Sequence, residues 1–147
     1  MMRDKLGLFG ENKSDKILIN DLLNWMEKNR ADYTNTFCYL MTIKTKNEEI
    51  YKNKDFINWL NRWKERLLIN NNNKVKSLDL MKKNNPIVIP RNHKVEEALE
   101  AAIKGDLKVV NKLLLILNKP YELQKKITDF QSPKLYDNEK YETYCGT

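Results

Sequence analysis

Asp55-Phe56-Ile57-Asn58-Trp59-Leu60-Asn61-Arg62-Trp63-Lys64-Glu65-Arg66-Leu67 decides how this chain folds. Phe56, Leu60, Trp63 and Leu67 step by four, three and four, so they stack on one face of a helix, and Ile57 and Trp59 widen the stripe. The remaining positions carry charge, with Arg62, Lys64 and Arg66 beside Glu65 and Asp55, as on a solvated face. A helix starting near Asn53 or Asp55 follows.

The same period runs outward in both directions. Upstream, Ser14 is placed to cap a helix reaching about Arg30 with Ile17, Leu18, Leu22, Trp25 and Met26 inward, and Asp32 to cap one carrying Tyr33, Phe37, Leu40 and Met41. Downstream, the Asn-rich turn at 70–73 precedes a shorter helix from Lys74 to Lys83 presenting Val75, Leu78 and Met81. Pro86 and Pro90 then hold Asn85-Pro86-Ile87-Val88-Ile89-Pro90 extended, because each biases its predecessor away from helix. Val95, Leu99, Ala102 and Ile103 mark the next helix, which Gly105 ends in a left-handed conformation. Asp106 offers a fresh cap, and Leu107, Val110, Leu113, Leu114 and Leu117 complete a helical hairpin. The expected fold is all-α: an irregular bundle of about six helices. Residues 1–84 form a helical segment, 85–92 an extended linker, 93–118 the hairpin and 119–147 an irregular tail.

Composition narrows the function classes. The 147 residues are 41% hydrophobic and 32% charged, with 27 Lys and Arg against 20 Asp and Glu, a net +7. The longest apolar run, Leu113 to Leu117, falls far short of the roughly 20 residues that cross a bilayer, so no membrane partner is expected. The start of the sequence has no apolar core with a small-residue cleavage site, and Cys38 and Cys145 make neither a disulfide framework nor a CxxC pair. A reducing, cytoplasmic setting is expected.

Few side chains offer chemistry. Cys38, between Phe37 and Tyr39, reads as a small buried hydrophobe, although a disulfide with Cys145 stays open if the tail folds back. Cys145, three positions from the end beside Gly146, reads from the residues alone as a free cysteine with no basic cluster to lower its pKa. His93 is the only histidine and suits a solvated first turn. Trp25, Trp59 and Trp63 sit on apolar stripes, which favours core packing over stacking platforms for bases. Glu96, Glu97 and Glu100 fit the exposed side of a helix better than an acid–base pair. Asn92 is placed to cap the hairpin's first helix, while Arg91 is left open between packing and contact with another domain. Glycine-rich phosphate loops and Ser/His/Asp arrangements are missing from the sequence.

Taken in order, several segments carry a family pattern. Arg3-Asp4-Lys5-Leu6-Gly7-Leu8, Asp32-Tyr33-Thr34-Asn35-Thr36-Phe37, Trp59 to Arg66, Asn85-Pro86 with Arg91-Asn92, Glu97-Ala98-Leu99-Glu100-Ala101-Ala102 with Gly105-Asp106, Asn118-Lys119-Pro120-Tyr121 and Cys145-Gly146-Thr147 resemble the carboxy-terminal end of selenoprotein O proteins. The resemblance implies a parent protein that transfers AMP from ATP to protein hydroxyls on a kinase-like fold lying upstream. ATP, Mg2+ and the residues that bind them are then expected in that upstream domain, and no catalytic, cofactor-binding or metal-binding residue in this chain. The expected partners are the kinase-like domain of the same protein and the parent enzyme's protein substrates.

The resemblance also implies a redox role for Cys145, pairing with a cysteine of the kinase-like domain, and it makes Arg91 and Asn92 candidates for inter-domain contact. Family members often end in Cys-Ser-Ser, so Gly146-Thr147 is a departure that keeps the sulfur and alters its surroundings. A second reading, from another class, is a free-standing basic helical module for nucleic acid or an acidic protein, resting on the +7 charge and the lysines between Lys44 and Lys76.

Overall fold

Two helices that cross around tryptophans organise the structure, a computed structural model describing residues 1–45, 48–69, 74–124 and 127–133. Among the described residues there are eight α-helices, one 3-10 helix and no strand. They are α1 (Met2–Lys5), α2 (Asp15–Lys28), α3 (Tyr33–Leu40), the 3-10 turn Glu48–Lys52, α4 (Lys54–Leu68), α5 (Lys74–Asn84), α6 (Asn92–Ile103), α7 (Lys108–Leu117) and α8 (Thr128–Gln131). The all-α expectation holds. The short pieces α1, α8 and the 3-10 turn add to the helices read from periodicity, being too brief to display a period.

α4 starts where the side chain of Asn53 accepts the N–H groups of Asp55 and Phe56 at 2.9 and 3.3 Å. It packs on α2, with Phe56, Trp59 and Trp63 buried against Leu18, Leu22, Trp25 and Met26. The indole N–H groups are all used inside the protein: Trp59 donates to Leu18 O (2.8 Å), Trp63 to Leu6 O (2.9 Å) and Trp25 to Asn53 Oδ1 (3.2 Å). Tyr39 stacks on Tyr51 at 4.1 Å between centroids, and Trp25 meets Phe56 at 4.5 Å. The tryptophans are core, and each aromatic pair adds about 0.5–1.5 kcal/mol beyond its burial.

The amino-terminal turn locks onto α5. Gly7 lies at φ +66°, and a Cβ there would meet Ser77 O at 2.8 Å and the Met81 side chain at 3.0 Å. Only glycine satisfies both the left-handed backbone and that approach. Asn85, immediately after α5, returns the contact by donating to Lys5 O (2.9 Å) and Met81 O (2.8 Å).

Several expectations give way. Arg66 is not on a solvated face: it is 3% exposed, and its guanidinium forks onto Asp15 at 2.6 and 3.1 Å while also reaching Phe9 O. Its position on α4 faces the core, and the buried carboxylate of Asp15 replaces solvent. Ser14 occupies the cap position of α2 without a capping bond, because its backbone is helical (φ −76°, ψ −13°) rather than extended, and its hydroxyl donates to Asn12 Oδ1. Asn92 does not cap α6; Arg91 holds the cap position with no side-chain capping bond, and Asn92 lies exposed in the first turn. Ile17, Tyr33, Ile57, Val75, Leu99, Ile103, Leu107 and Leu114, read as inward, are exposed.

The stretch from Asn85 to Pro90 is free of helix as expected, yet it is not merely a connector. Ile87 and Val88 are buried with Cys38, Ile116 and Ile127 in a second, smaller core. Both N–H groups of the pair point at Pro120 O, at 2.7 and 3.3 Å, tying this strap to the turn after α7. Gly105 ends α6 at φ +87° as expected, whereas Leu107 rather than Asp106 holds the cap position of α7, and Asp106, one residue earlier, accepts the N–H of Lys108 at 2.9 Å.

Candidate functional site

The polar cluster around Arg91 gathers more distant segments than any other grouping of hydrogen bonds in the described residues. It begins with Asp32. Its Oδ1 accepts the N–H of Asn35 at 2.8 Å and so caps α3, as the sequence predicts. Both carboxylate oxygens also take the guanidinium of Arg91, at 2.5 and 2.8 Å, in a two-pronged pair that is mostly buried. Arg91 is brought there by the strap, whose proline-fixed path delivers it at the start of α6.

α8 closes the cluster through Gln131. Its backbone carbonyl accepts from Arg91 (3.0 Å) and from the amide of Asn35 (3.1 Å), and its own amide donates to Ile87 O (3.0 Å). One residue thereby pins the last described helix to α3 and to the strap. The other prong of the cluster reaches Thr36, whose hydroxyl donates to Asp32 O at 2.7 Å and lies 3.3 Å from the Tyr51 hydroxyl. Asn35 Oδ1 and Arg91 Nε stay without a hydrogen-bond partner among the described residues.

Cys38 sits beneath this cluster, fully buried, with Sγ 3.8 Å from Ile87 O. Burial pushes its thiol up to about 12, aided by the negative charge of Asp32 and opposed by Arg91. Burial likewise raises Tyr51 to about 12. A thiol held protonated and away from solvent is neither a nucleophile nor a ready disulfide partner, so Cys38 is the small hydrophobe its sequence context indicates.

Among the remaining candidates, Cys145 lies outside the described residues. Arg91 is engaged within the chain by Asp32 and Gln131, and Asn92 stands exposed beside it. Glu96, Glu97 and Glu100 are exposed on α6, where Glu97 pairs with Lys94 at 2.7 Å. His93 is half-buried in the first turn of α6. No group of three or more His, Cys, Asp or Glu among the described residues is placed to hold a metal ion, and no helix among them is long and apolar enough to cross a membrane. What sequence reasoning missed is Gln131. A glutamine in an aperiodic stretch carries no signal of burial, and nothing in its neighbours indicates that it bridges three segments.

The arrangement accounts for the ordered segments as a set. Lys5, Gly7, Asp32, Asn35, Asn85, Arg91 and Pro120 come from five separate stretches of the sequence, and each holds another stretch in place. The sequence profile of the family described as protein adenylyltransferase SelO matches residues 1–118, which include all of them but Pro120. This chain belongs to the SelO family. Family relatives include the protein nucleotidyltransferase YdiU of Pelagibacter ubique, 54% identical over 147 residues, covering 100% of this chain and 30% of the relative. The proteins of the same name from Bacillus mycoides and Nitrosococcus oceani are 46% and 45% identical, again with 30% of each relative covered. The chain thus spans about 30% of the length of these SelO-family relatives. These alignments run past the profile's end at residue 118 and take in the tail that bears Cys145.

Proposed function

We propose that this chain is the carboxy-terminal helical segment of a protein adenylyltransferase, which transfers AMP from ATP, with Mg2+, to hydroxyls of protein substrates. In this reading the segment supports the kinase-like domain and supplies Cys145 as a regulatory thiol that pairs with a cysteine of that domain. The observation that carries it is family membership combined with length: the chain matches SelO-family proteins along its whole extent yet amounts to 30% of them. The Arg91 cluster suits a supporting role, since its charges are spent holding segments of this chain together. Asn92, exposed beside the cluster, is the residue of that pair free to reach a neighbouring domain.

The test uses a full-length chimera in which this chain replaces the matching 147 residues of the Pelagibacter ubique relative. Labelled AMP transfer to protein is measured with Mg2+, with and without a dithiol reductant. Reduction is expected to change the rate, and Cys145→Ser to abolish that response. An unchanged response in Cys145→Ser overturns the regulatory thiol. Loss of transfer in a chimera that folds, with the relative itself active, overturns the supporting role.

A further inference from the structure

Among the described residues, the hydrogen bonds and buried contacts that hold the α6–α7 hairpin gather toward one end, with Lys112 of α7 also lying over the Phe130 ring at 5.4 Å. Arg91 opens α6 beside Asp32, and Ile116 and Pro120 close α7 against the strap, so both attachments lie at the same end of the two helices. The turn at Gly105 lies at the other end, about 18 Å away along a 12-residue helix. Between them α6 and α7 bury only Ala98, Leu113 and Ile116.

Among its charged residues, the hairpin's outer surface carries a set of exposed aliphatics. On α6, Leu99 and Ile103 are four apart and share a face, with Ile103 86% exposed. Leu107 follows across the turn, and on α7 Leu114 lies seven residues on from it, on the same face, next to Leu115 at 72% exposure. Asn111 and Asn118 flank Leu114 and Leu115 around an open hollow on α7. Scattered apolar residues on a surface need no explanation, but five branched aliphatics on one two-helix projection do. Helices of 12 and 10 residues are marginal in water and depend on burying such a face.

We infer that this face is the surface by which the segment docks onto the remainder of its own polypeptide, a conclusion resting on the supporting role proposed above. The hairpin falls entirely within the residues matched by the SelO-family profile, and the proteins that share it carry more than twice as much additional chain. That additional chain, covalently attached, is the occupant present at highest effective concentration. Its contacting surface is apolar, since a polar one would be left unsatisfied against leucine and isoleucine.

A photo-crosslinking phenylalanine derivative placed at Leu114 of the full-length chimera tests this, with the same derivative at Glu65 on the exposed side of α4 as control. Expected are intramolecular cross-links from position 114 to segments outside the 147 residues, fewer from position 65, and amide exchange in α7 slowed about tenfold or more relative to the isolated chain. Cross-links between two polypeptides make the occupant a second copy and overturn the inference. Cross-links confined to this chain, with unchanged exchange, overturn it as well. The same placement at the aligned position of the unaltered Pelagibacter ubique relative keeps the test decisive if the chimera does not fold. Cross-linking without AMP transfer leaves the docking face standing and removes the activity; redox-regulated transfer without cross-linking does the reverse.

Discussion

α4 and α7 carry equally legible apolar stripes, and only one of them is covered. α4 places Phe56, Trp59 and Trp63 under α2 and the aromatic cluster, with every indole N–H satisfied by a neighbouring segment. α7 is richer in leucine, yet within it only Leu113 and Ile116 are buried, while Leu114 and Leu115 face outward. A periodic stripe fixes which side of a helix is apolar; whether that side is buried depends on what else packs there. The bundle built on α4 contains its own partners within this chain, and the hairpin does not.

The contrast can be broken most forcefully inside the bundle. Arg66→Ala leaves the buried carboxylate of Asp15 without its guanidinium, and is expected to lower unfolding free energy by about 3–5 kcal/mol in urea titration. A value below 1 kcal/mol would mean that the α2–α4 junction does not depend on that pair.

Alkali probes Cys38 of the second core together with Tyr51 of the first. The Cys38 thiol is raised by burial from 9.0 to about 12, and Tyr51 from 10.0 to about 12, so the folded state keeps protons that the unfolded chain releases. Their stabilising contribution is complete below about pH 9 and is lost as pH climbs toward 12. Unfolding free energy should therefore fall by about 2 kcal/mol between pH 9 and 10.5, and Cys38→Ala should flatten much of that slope.

Gly7→Ala forces a side chain into the left-handed region against Ser77 O, and a loss of about 1–2 kcal/mol is expected from the same titration. The smallest effect belongs to the hairpin. Leu115→Gln in the isolated chain should change stability by no more than about 0.5 kcal/mol, because the side chain is already in water. A large loss there would show that the isolated hairpin is covered after all, and the contrast with α4 would vanish.

How much of this was readable in advance follows from range. Some local signals hold: the stripe of α4, the Asp32 cap and the Gly105 stop depend on residues within one or two turns of each other, whereas the equally local Ser14, Asn92 and Asp106 caps do not form as expected. Arg66 was misread because its partner lies 51 residues away and an arginine in a charged row looks solvated. Leu99 and Ile103 differ for the opposite reason, since an apolar stripe does not disclose whether another element packs over it, and here none among the described residues does. The candidate thiol was placed by resemblance, whereas the glutamine that anchors the neighbouring helix gave no sequence signal. The prolines indicate a helix-free strap, but its burial comes from Cys38, Ile116 and Ile127, and the acceptor for its N–H groups is Pro120 O, all of which only the folded chain brings near.

Gln131 has a consequence for the tail as a tether. By clamping α8 to Asn35, Arg91 and Ile87, it fixes the point from which the following residues depart, at Ser132 and Pro133. Cys145 lies twelve residues on from Pro133, and twelve residues of any chain span at most about 43 Å. A cysteine that is to pair with Cys145 must therefore lie within that distance of Pro133, whatever path the intervening residues take.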